Sequence, residues 1–256
     1  MTIKNPSTEL VSDLWDLWRE AFGDSGEFLD DFFTHAYSAD RCLCALEENE
    51  LQAAVYWFDC ELRGKKIAYI YALATGMAHR GHGIAHALME HVHSRLEQQG
   101  YEGVVLVPGE SELVAFYETM GYHTCTQRSE FFCMGAADEV QLRKVTSEEY
   151  AQQRRDLFSY IEPGGVLQEG ENMAFLATQA DFYIGQNCLL AARGEGNTLI
   201  GIELLGDAQM APGIVQTLGY AQGSFYTRGT GKDFAMYRPL GSSTLEPPTY
   251  FGLAFD

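Results

Sequence analysis

Apolar positions along this chain follow two rhythms. Leu10, Leu14, Leu17 and Trp18, flanked by Val11, Trp15 and Phe22, recur at helical spacing, and Phe28, Leu29, Phe32 and Phe33 do so again. Two amphipathic helices are therefore predicted near the start. Residues 41–46, 51–61 and 65–75 are long apolar runs separated by Glu48-Asn49-Glu50 and Arg63-Gly64-Lys65, the pattern of three antiparallel strands joined by tight turns. Ile84, Leu88, Val92 and Leu96, with Ala85 and Met89 beside them, predict a third helix. Val104, Val105, Leu106 and Val107 predict another buried strand, and Leu113, Val114, Phe116, Tyr117 and Met120 a short helix over 110–120. Helices alternating with a mostly antiparallel set of strands place the chain in the α/β (α+β) class.

The sharpest local feature lies where the strand ending at 75 meets the helix starting at 84. It reads Leu73-Ala74-Thr75-Gly76-Met77-Ala78-His79-Arg80-Gly81-His82-Gly83-Ile84-Ala85. A strand so continuously apolar is covered on both faces. It runs through glycines into a helix whose first unpaired N–H groups and positive dipole end face whatever fills the turn. A phosphate or pyrophosphate suits that place. No lysine follows Gly83, as a P-loop needs, and His86 occupies the third glycine position of a dinucleotide fingerprint, where its bulk would hold helix and strand apart.

What remains is Arg80-x-x-Gly83-x-Ala85 after Leu73-Ala74-Thr75, followed downstream by Phe116-Tyr117-Glu118-Thr119-Met120-Gly121-Tyr122. In order and spacing these resemble the two signatures of the GNAT superfamily of acetyl-CoA-dependent N-acyltransferases, Arg/Gln-x-x-Gly-x-Gly/Ala and Phe/Leu-Tyr-Glu-Lys-x-Gly-Phe/Tyr. The resemblance implies a mixed, mostly antiparallel sheet flanked by helices, acetyl-CoA as co-substrate without a metal, and a small-molecule or peptidic amine as acceptor. It implies that the backbone of Leu73, Ala74 and Thr75 meets the pantetheine and thioester. Arg80, Gly81, His82, Gly83, Ile84 and Ala85 would hold the pyrophosphate, and Tyr117 would be the general acid that protonates the departing thiolate. The first two helices would cover the acceptor end of the cleft, with Trp18, Phe28, Phe32 and Phe33 as candidate linings.

The departure from the family is at the base. Where many members carry a glutamate on the strand, this chain has Tyr69 and Tyr71. Asp59 and Glu61, on the neighbouring strand, are expected to act through water, unless the amine arrives neutral. Glu110 stands where the family often has asparagine. Two readings follow: an acetyltransferase working by direct transfer, without a covalent enzyme intermediate, or a catalytically lapsed acyl-CoA-binding regulatory module. A protein-lysine acetyltransferase differs from the first only in its acceptor.

Composition narrows the partners. The net charge of −19 over 256 residues divides as −12 in residues 1–137 and −7 in 138–256, so no basic region offers a nucleic-acid surface. A field of one sign draws cationic acceptors toward a cleft, although its main effect is solubility. The start, Met1-Thr2-Ile3-Lys4-Asn5-Pro6, is polar and no apolar run is long enough for a bilayer, so neither a signal peptide nor a membrane is expected and a cytoplasmic location is. A homodimer is the candidate assembly. The six cysteines lack C-x-x-C spacing and are expected to be reduced core thiols. His82, His86 and His93 share a helical stripe, but no carboxylate or cysteine joins them at ligand spacing. They are expected to be solvated near the CoA phosphates, weakening cofactor affinity as pH rises.

Beyond residue 137 the pattern restarts, with a strand over 140–146 and a helix over 147–160 ended by Ile161-Glu162-Pro163-Gly164-Gly165. Cys188-Leu189-Leu190-Ala191-Ala192 echoes Cys42-Leu43-Cys44-Ala45-Leu46, and Val215-Gln216-Thr217-Leu218-Gly219-Tyr220 echoes Tyr117-Glu118-Thr119-Met120-Gly121-Tyr122. The shorter spacing of the second pair predicts a degenerate GNAT-like half, residues 138–256, that lacks the cofactor strand, loop and helix of residues 1–137. Its aromatic end, from Pro247 onward, is expected to dock in a surface groove.

Overall fold

The computed structural model describes residues 1–136, 140–160 and 163–254. The first ten elements are β1 (Thr2–Lys4), α1 (Val11–Phe22), α2 (Gly26–His35), β2 (Cys42–Glu47), β3 (Glu50–Leu62), β4 (Lys65–Thr75), α3 (Ile84–Gln98), β5 (Gly103–Leu106), α4 (Glu112–Glu118) and β6 (His123–Thr124). The local chemistry explains their limits. Gly23 ends α1 in a left-handed conformation at φ 74°, and the Ser25 hydroxyl opens α2 by accepting from the Phe28 N–H at 3.2 Å. Glu48 and Asn49, then Arg63 and Gly64, all have positive φ, as two-residue hairpin turns require. The three expected antiparallel strands are β2, β3 and β4.

The remaining elements are β7 (Gln127–Met134), β8 (Leu142–Val145), α5 (Ser147–Tyr160), β9 (Leu167–Gln168), α6 (Glu171–Gln179), β10 (Asp181–Gly185), β11 (Cys188–Glu195), β12 (Thr198–Gly206), α7 (Ala211–Thr217), β13 (Gln222–Arg228), β14 (Lys232–Asp233) and β15 (Met236–Pro239). Ile161 and Glu162, at the expected end of α5, lie outside the described residues.

The chain forms two compact units, one of Met1–His123 with Tyr237–Glu246, the other of Thr124–Met236 with the segment from Pro247. The first sheet runs β1-β2-β3-β4-β5-β15-β6 and the second β8-β10-β11-β12-β13-β7-β14. Position by position the two orders match. The sixth strand of each comes from the other half of the sequence: β15 joins the first sheet, and β7 joins the second by pairing antiparallel with β13. The expected boundary near 137 falls at residues outside the described ones; the units divide at 123/124 because β7 finds its hydrogen-bonding partner in the second sheet. In the first unit β2 and the middle of β3 are buried residue after residue, so both faces of the sheet are covered.

The internal echo is shifted from the alignment expected of it. β11, which begins at Cys188, occupies the place of β3, not of β2, and β12 occupies that of β4, the strand expected to meet the cofactor. α7 leads from β12 to its parallel neighbour β13, as α3 leads from β4 to β5. Gly219-Tyr220 therefore matches Gly100-Tyr101. The strand and helix expected to be missing are present, but the helix is 7 residues long against 15. The end of the chain lies deeper than a surface groove: Tyr250 and Leu253 belong to the second unit's core beside Tyr150, Phe158 and Leu176. All six cysteines are free thiols, four of them buried. No helix among the described residues is long and apolar enough to cross a membrane.

Candidate active site

The site forms where β4 and β5 part. They pair in parallel only from Ile67↔Gly103 to Ile70↔Leu106, and opposite β3 the register of β4 shifts at Tyr71, a β-bulge. The Gly76 N–H donates to the Gln52 carbonyl at 2.9 Å. By strand alternation Ala74 also faces β3, and Leu73 and Thr75 turn their backbone groups into the gap. Of the three residues expected to meet the thioester, Leu73 and Thr75 thus have backbone groups on the open side, and the groups of Ala74 are committed to β3. Arg80 spends its Nε–H on the Thr75 carbonyl at 3.1 Å. That bond ties the turn to the strand end.

The turn leaves open space and uncapped helix amides. Gly81 and Gly83 have φ of 80° and 75°, and a Cβ added at either meets nothing within 4 Å. Gly83 caps α3 without any side-chain acceptor, and the helical ladder opens with the Ala87 N–H donating to the Gly83 carbonyl at 3.0 Å. The amides at the start of α3 are left pointing out of the turn, with the helix dipole behind them. His82 and His86 are exposed, as expected of groups near a phosphate.

His93 is different. It is 3 % exposed, its Nδ1 accepts from Arg238 Nη1 at 2.6 Å, and its Nε2–H donates to the Tyr122 hydroxyl at 2.7 Å. Burial, helped by the Arg238 charge, lowers its pKa to about 3, so it is a neutral structural link and no solvated phosphate partner. Helical periodicity puts it on the stripe with His82 and His86, yet the face of α3 that it occupies is covered by β15. Among the described residues no group of three or more His, Cys, Asp or Glu is placed to hold a metal.

Tyr117 lies on α4, the helix after β5, so it belongs to the strand across the gap from Leu73. Its ring packs edge-on against Phe116 and Tyr122, at centroid distances of 5.1 and 5.8 Å. Burial pushes its hydroxyl up to about 12. Full proton transfer to a thiolate whose conjugate thiol has a pKa near 8.5 is then uphill by about 5 kcal/mol, which suits this hydroxyl to donating a hydrogen bond rather than giving up its proton.

Asp59 does not stand where a base is needed. It pairs with Ala68, five residues before Leu73 and about 16 Å along the strand. Its carboxylate accepts from the Tyr101 hydroxyl and faces Lys66 Nζ at 3.6 Å. Glu61, opposite Lys66, is farther still. What surrounds the bulge is aromatic: Trp18 and Phe32 pack on Tyr56 and Tyr71, with Phe32 and Tyr71 stacked at 5.7 Å. Trp18 and Phe32 are buried, and Phe28 and Phe33 are half-buried, Phe33 against Phe32 and Tyr56. Sequence reasoning misses Tyr56, which the hairpin register alone brings opposite Ala72.

The second unit repeats the framework without the opening. β12 pairs in parallel with β13 over Thr198–Gly201 and bulges at Ile202, but pairing then resumes at Leu204↔Thr227. The Leu204 carbonyl, in the register position of Leu73, accepts from the Thr227 hydroxyl at 2.8 Å. Beside the bulge Glu203, fully buried, is held by Arg154 at 2.8 Å and by the Tyr150 and Tyr250 hydroxyls at 2.8 and 2.9 Å.

Residues 2–125 match the family model described as Acetyltransferase (GNAT) domain. A search of curated proteins finds no match. Among solved structures, a GCN5-related N-acetyltransferase from Kribbella flavida aligns at TM-score 0.71 and 15% identity over 93% of this chain and 70% of its own. A GCN5-related N-acetyltransferase from Anabaena variabilis gives TM-score 0.73 and 14% identity over 93% and 72%, and a protein from Pyrococcus horikoshii 0.65 and 12% over 99% and 94%. At such identities the likeness carries the fold, and it extends over both halves. The family signature, the parted strands and the glycine turn lie in one stretch of chain, and the amino-terminal half of this protein belongs to the GNAT acetyltransferase family.

Proposed function

We propose that this protein is an N-acetyltransferase that moves the acetyl group of acetyl-CoA directly to a primary amine of a small molecule or peptide. The supporting observation is the gap at Leu73 and Thr75, continuous through the Arg80 bond with an uncapped helix start at residues 83–86. Backbone N–H groups in the gap polarise the thioester carbonyl. Amides of the turn hold the pyrophosphate, with Arg80, Gly81, His82, Gly83, Ile84 and Ala85 as the binding residues. The amine nitrogen attacks the carbonyl carbon, the C–S bond breaks, and Tyr117 donates to the leaving sulfur while the nitrogen loses its proton to water.

A second reading, a lapsed acyl-CoA-binding module, is favoured by the commitment of Asp59 to Tyr101 and Lys66. Thiol release from acetyl-CoA with an amine panel that includes a lysine peptide separates the two. Turnover that falls about 10²-fold in Tyr117→Phe, with acetyl-CoA affinity unchanged, is expected of the enzyme. Tight acetyl-CoA binding with no thiol release on any amine would leave the module.

A further inference from the structure

Between α2 and the bulge of the first unit lies a crevice walled by the rings of Phe32, Tyr37, Tyr56, Phe58 and Tyr71. Tyr71 is the bulged residue, two positions before Leu73, so this crevice opens beside the proposed thioester position. The rings close on one another with no space as large as a water molecule between them. An occupant enters by parting them, and a flat one parts them least. Within the wall the Tyr56 hydroxyl is buried and has no hydrogen-bond partner among the described residues, a polar group that a ligand could satisfy. Among the described residues lining the crevice the one charged side chain is Arg41, and no carboxylate is present. The other titratable groups facing it are Tyr37, Tyr56 and Tyr71, with Cys42 and Cys44 near Tyr37 and Tyr56. Burial raises both Tyr37 and Tyr56 above the ordinary tyrosine range, so neither of these hydroxyls supplies a negative charge at neutral pH. An alkylammonium ion would meet no carboxylate in this lining.

Resting on the acetyltransferase reading, we infer that the acceptor is an aromatic amine, bound as the neutral base between these rings. The lone pair of an arylamine is delocalised into its ring, so the nitrogen carries no proton at neutral pH. That removes the need for the strand carboxylate that the site lacks. Offset and edge-on ring contacts with Phe32 and Tyr71 would hold the plane of the acceptor, and the Tyr56 hydroxyl would bond a polar substituent. The reaction balances without a protein base: nitrogen attacks the thioester carbon, the C–S bond breaks, the nitrogen loses its proton to water, and CoA leaves as the thiolate, hydrogen-bonded by Tyr117, and takes up one proton from solvent.

The test compares aniline and p-toluidine with cyclohexylamine and benzylamine on the full chain, measuring thiol release and acetyl-CoA binding by calorimetry. The arylamines are expected to give kcat/KM about tenfold or more above the alkylamines at pH 7, with a profile flat from pH 6 to 8.5. Phe32→Leu and Tyr71→Leu are expected to raise the arylamine KM about tenfold with acetyl-CoA affinity unchanged. A preference for the alkylamines, with a rate climbing about tenfold per pH unit, overturns this inference and leaves the acetyltransferase standing. Turnover on a lysine peptide but on neither set also overturns this inference and leaves the acetyltransferase standing, whereas acetyl-CoA binding without turnover on any of these amines or the peptide removes both readings.

Discussion

The two units use one plan to opposite ends. In each, a central strand pairs in parallel with its neighbour over four residue pairs and then bulges, at Tyr71 in β4 and at Ile202 in β12. After the bulge the first unit opens and the second closes. Leu73 faces a gap, whereas the Leu204 carbonyl is taken by the Thr227 hydroxyl. The turn that follows runs from Gly76 to Gly83 in the first unit and carries two left-handed glycines; in the second only residues 207–210 separate β12 from α7, and the Asp207 carboxylate accepts the Gln209 N–H at 2.9 Å within that turn. The interior differs in the same sense. The first unit packs rings around its bulge, and the second buries the Arg154–Glu203 pair beside its own. Thus a splayed strand pair alone makes no cofactor site. A candidate site remains only where the backbone group two positions past the bulge is left open, as at Leu73 and not at Leu204.

The comparison can be broken most severely by cutting the chain. A chain truncated after residue 137 lacks β15, whose Arg238 holds His93 and whose Tyr237 ring fills the space above Gly103, where a Cβ would overlap it. It is expected to show no cooperative thermal transition, and a stable, cooperatively melting fragment would show that the strand exchange is dispensable. Arg154→Met leaves the Glu203 carboxylate buried without its counter-charge and is expected to cost about 3–5 kcal/mol in denaturant unfolding of the second unit. Arg154→Met with Glu203→Leu should recover most of that.

Gly83→Val forces a β-branched residue to φ 75° and is expected to cost about 1–3 kcal/mol, with acetyl-CoA affinity reduced at least about tenfold in titration calorimetry. Asp207→Ala, in the corresponding turn of the second unit, should leave that affinity unchanged. His93 supplies a pH signature. Its pKa is lowered in the folded state from 6.5 to about 3, so the unfolded chain binds a proton that the native protein refuses. Stability from this residue is complete above pH 6.5 and is lost as pH falls toward about 3, at up to about 1.4 kcal/mol per pH unit. Unfolding of His93→Gln measured between pH 4 and 7 should show a shallower slope, and an unchanged slope would place the titration elsewhere. The smallest effect is expected of Thr227→Val, about 1 kcal/mol for the lost bond to Leu204. Acetyl-CoA binding gained in that variant would mean that this hydroxyl alone closes the second cleft.

Much of the site can be read from the chain before folding. Glycines at 81 and 83, an apolar strand before them and a four-residue apolar repeat after them are local signals, because turn conformation and helix periodicity are decided by neighbouring residues. The paired hairpins of β2, β3 and β4 are legible for the same reason. His93 is misplaced by its sequence pattern because a helical stripe says which residues share a face and nothing about what later covers it. Asp59 suggests itself as a base because adjacency of strands is visible in the sequence while the register, and so the distance from Leu73, is not. The echo at residues 215–220 points to the wrong helix because a Gly-Tyr pair follows both α3 and α4, and only hydrogen-bond topology tells them apart.

By itself, then, the sequence determined the strand, the glycine turn and the helix of the candidate cofactor site, together with the family to which that half belongs, since each rests on contacts a few residues apart. Tertiary structure alone decided which half each sixth strand serves, which of the two bulged strands stays open, and that the rings of Tyr56 and Tyr71 meet beside it. Those outcomes depend on backbone groups and side chains far apart in the chain competing for the same hydrogen bonds and the same space.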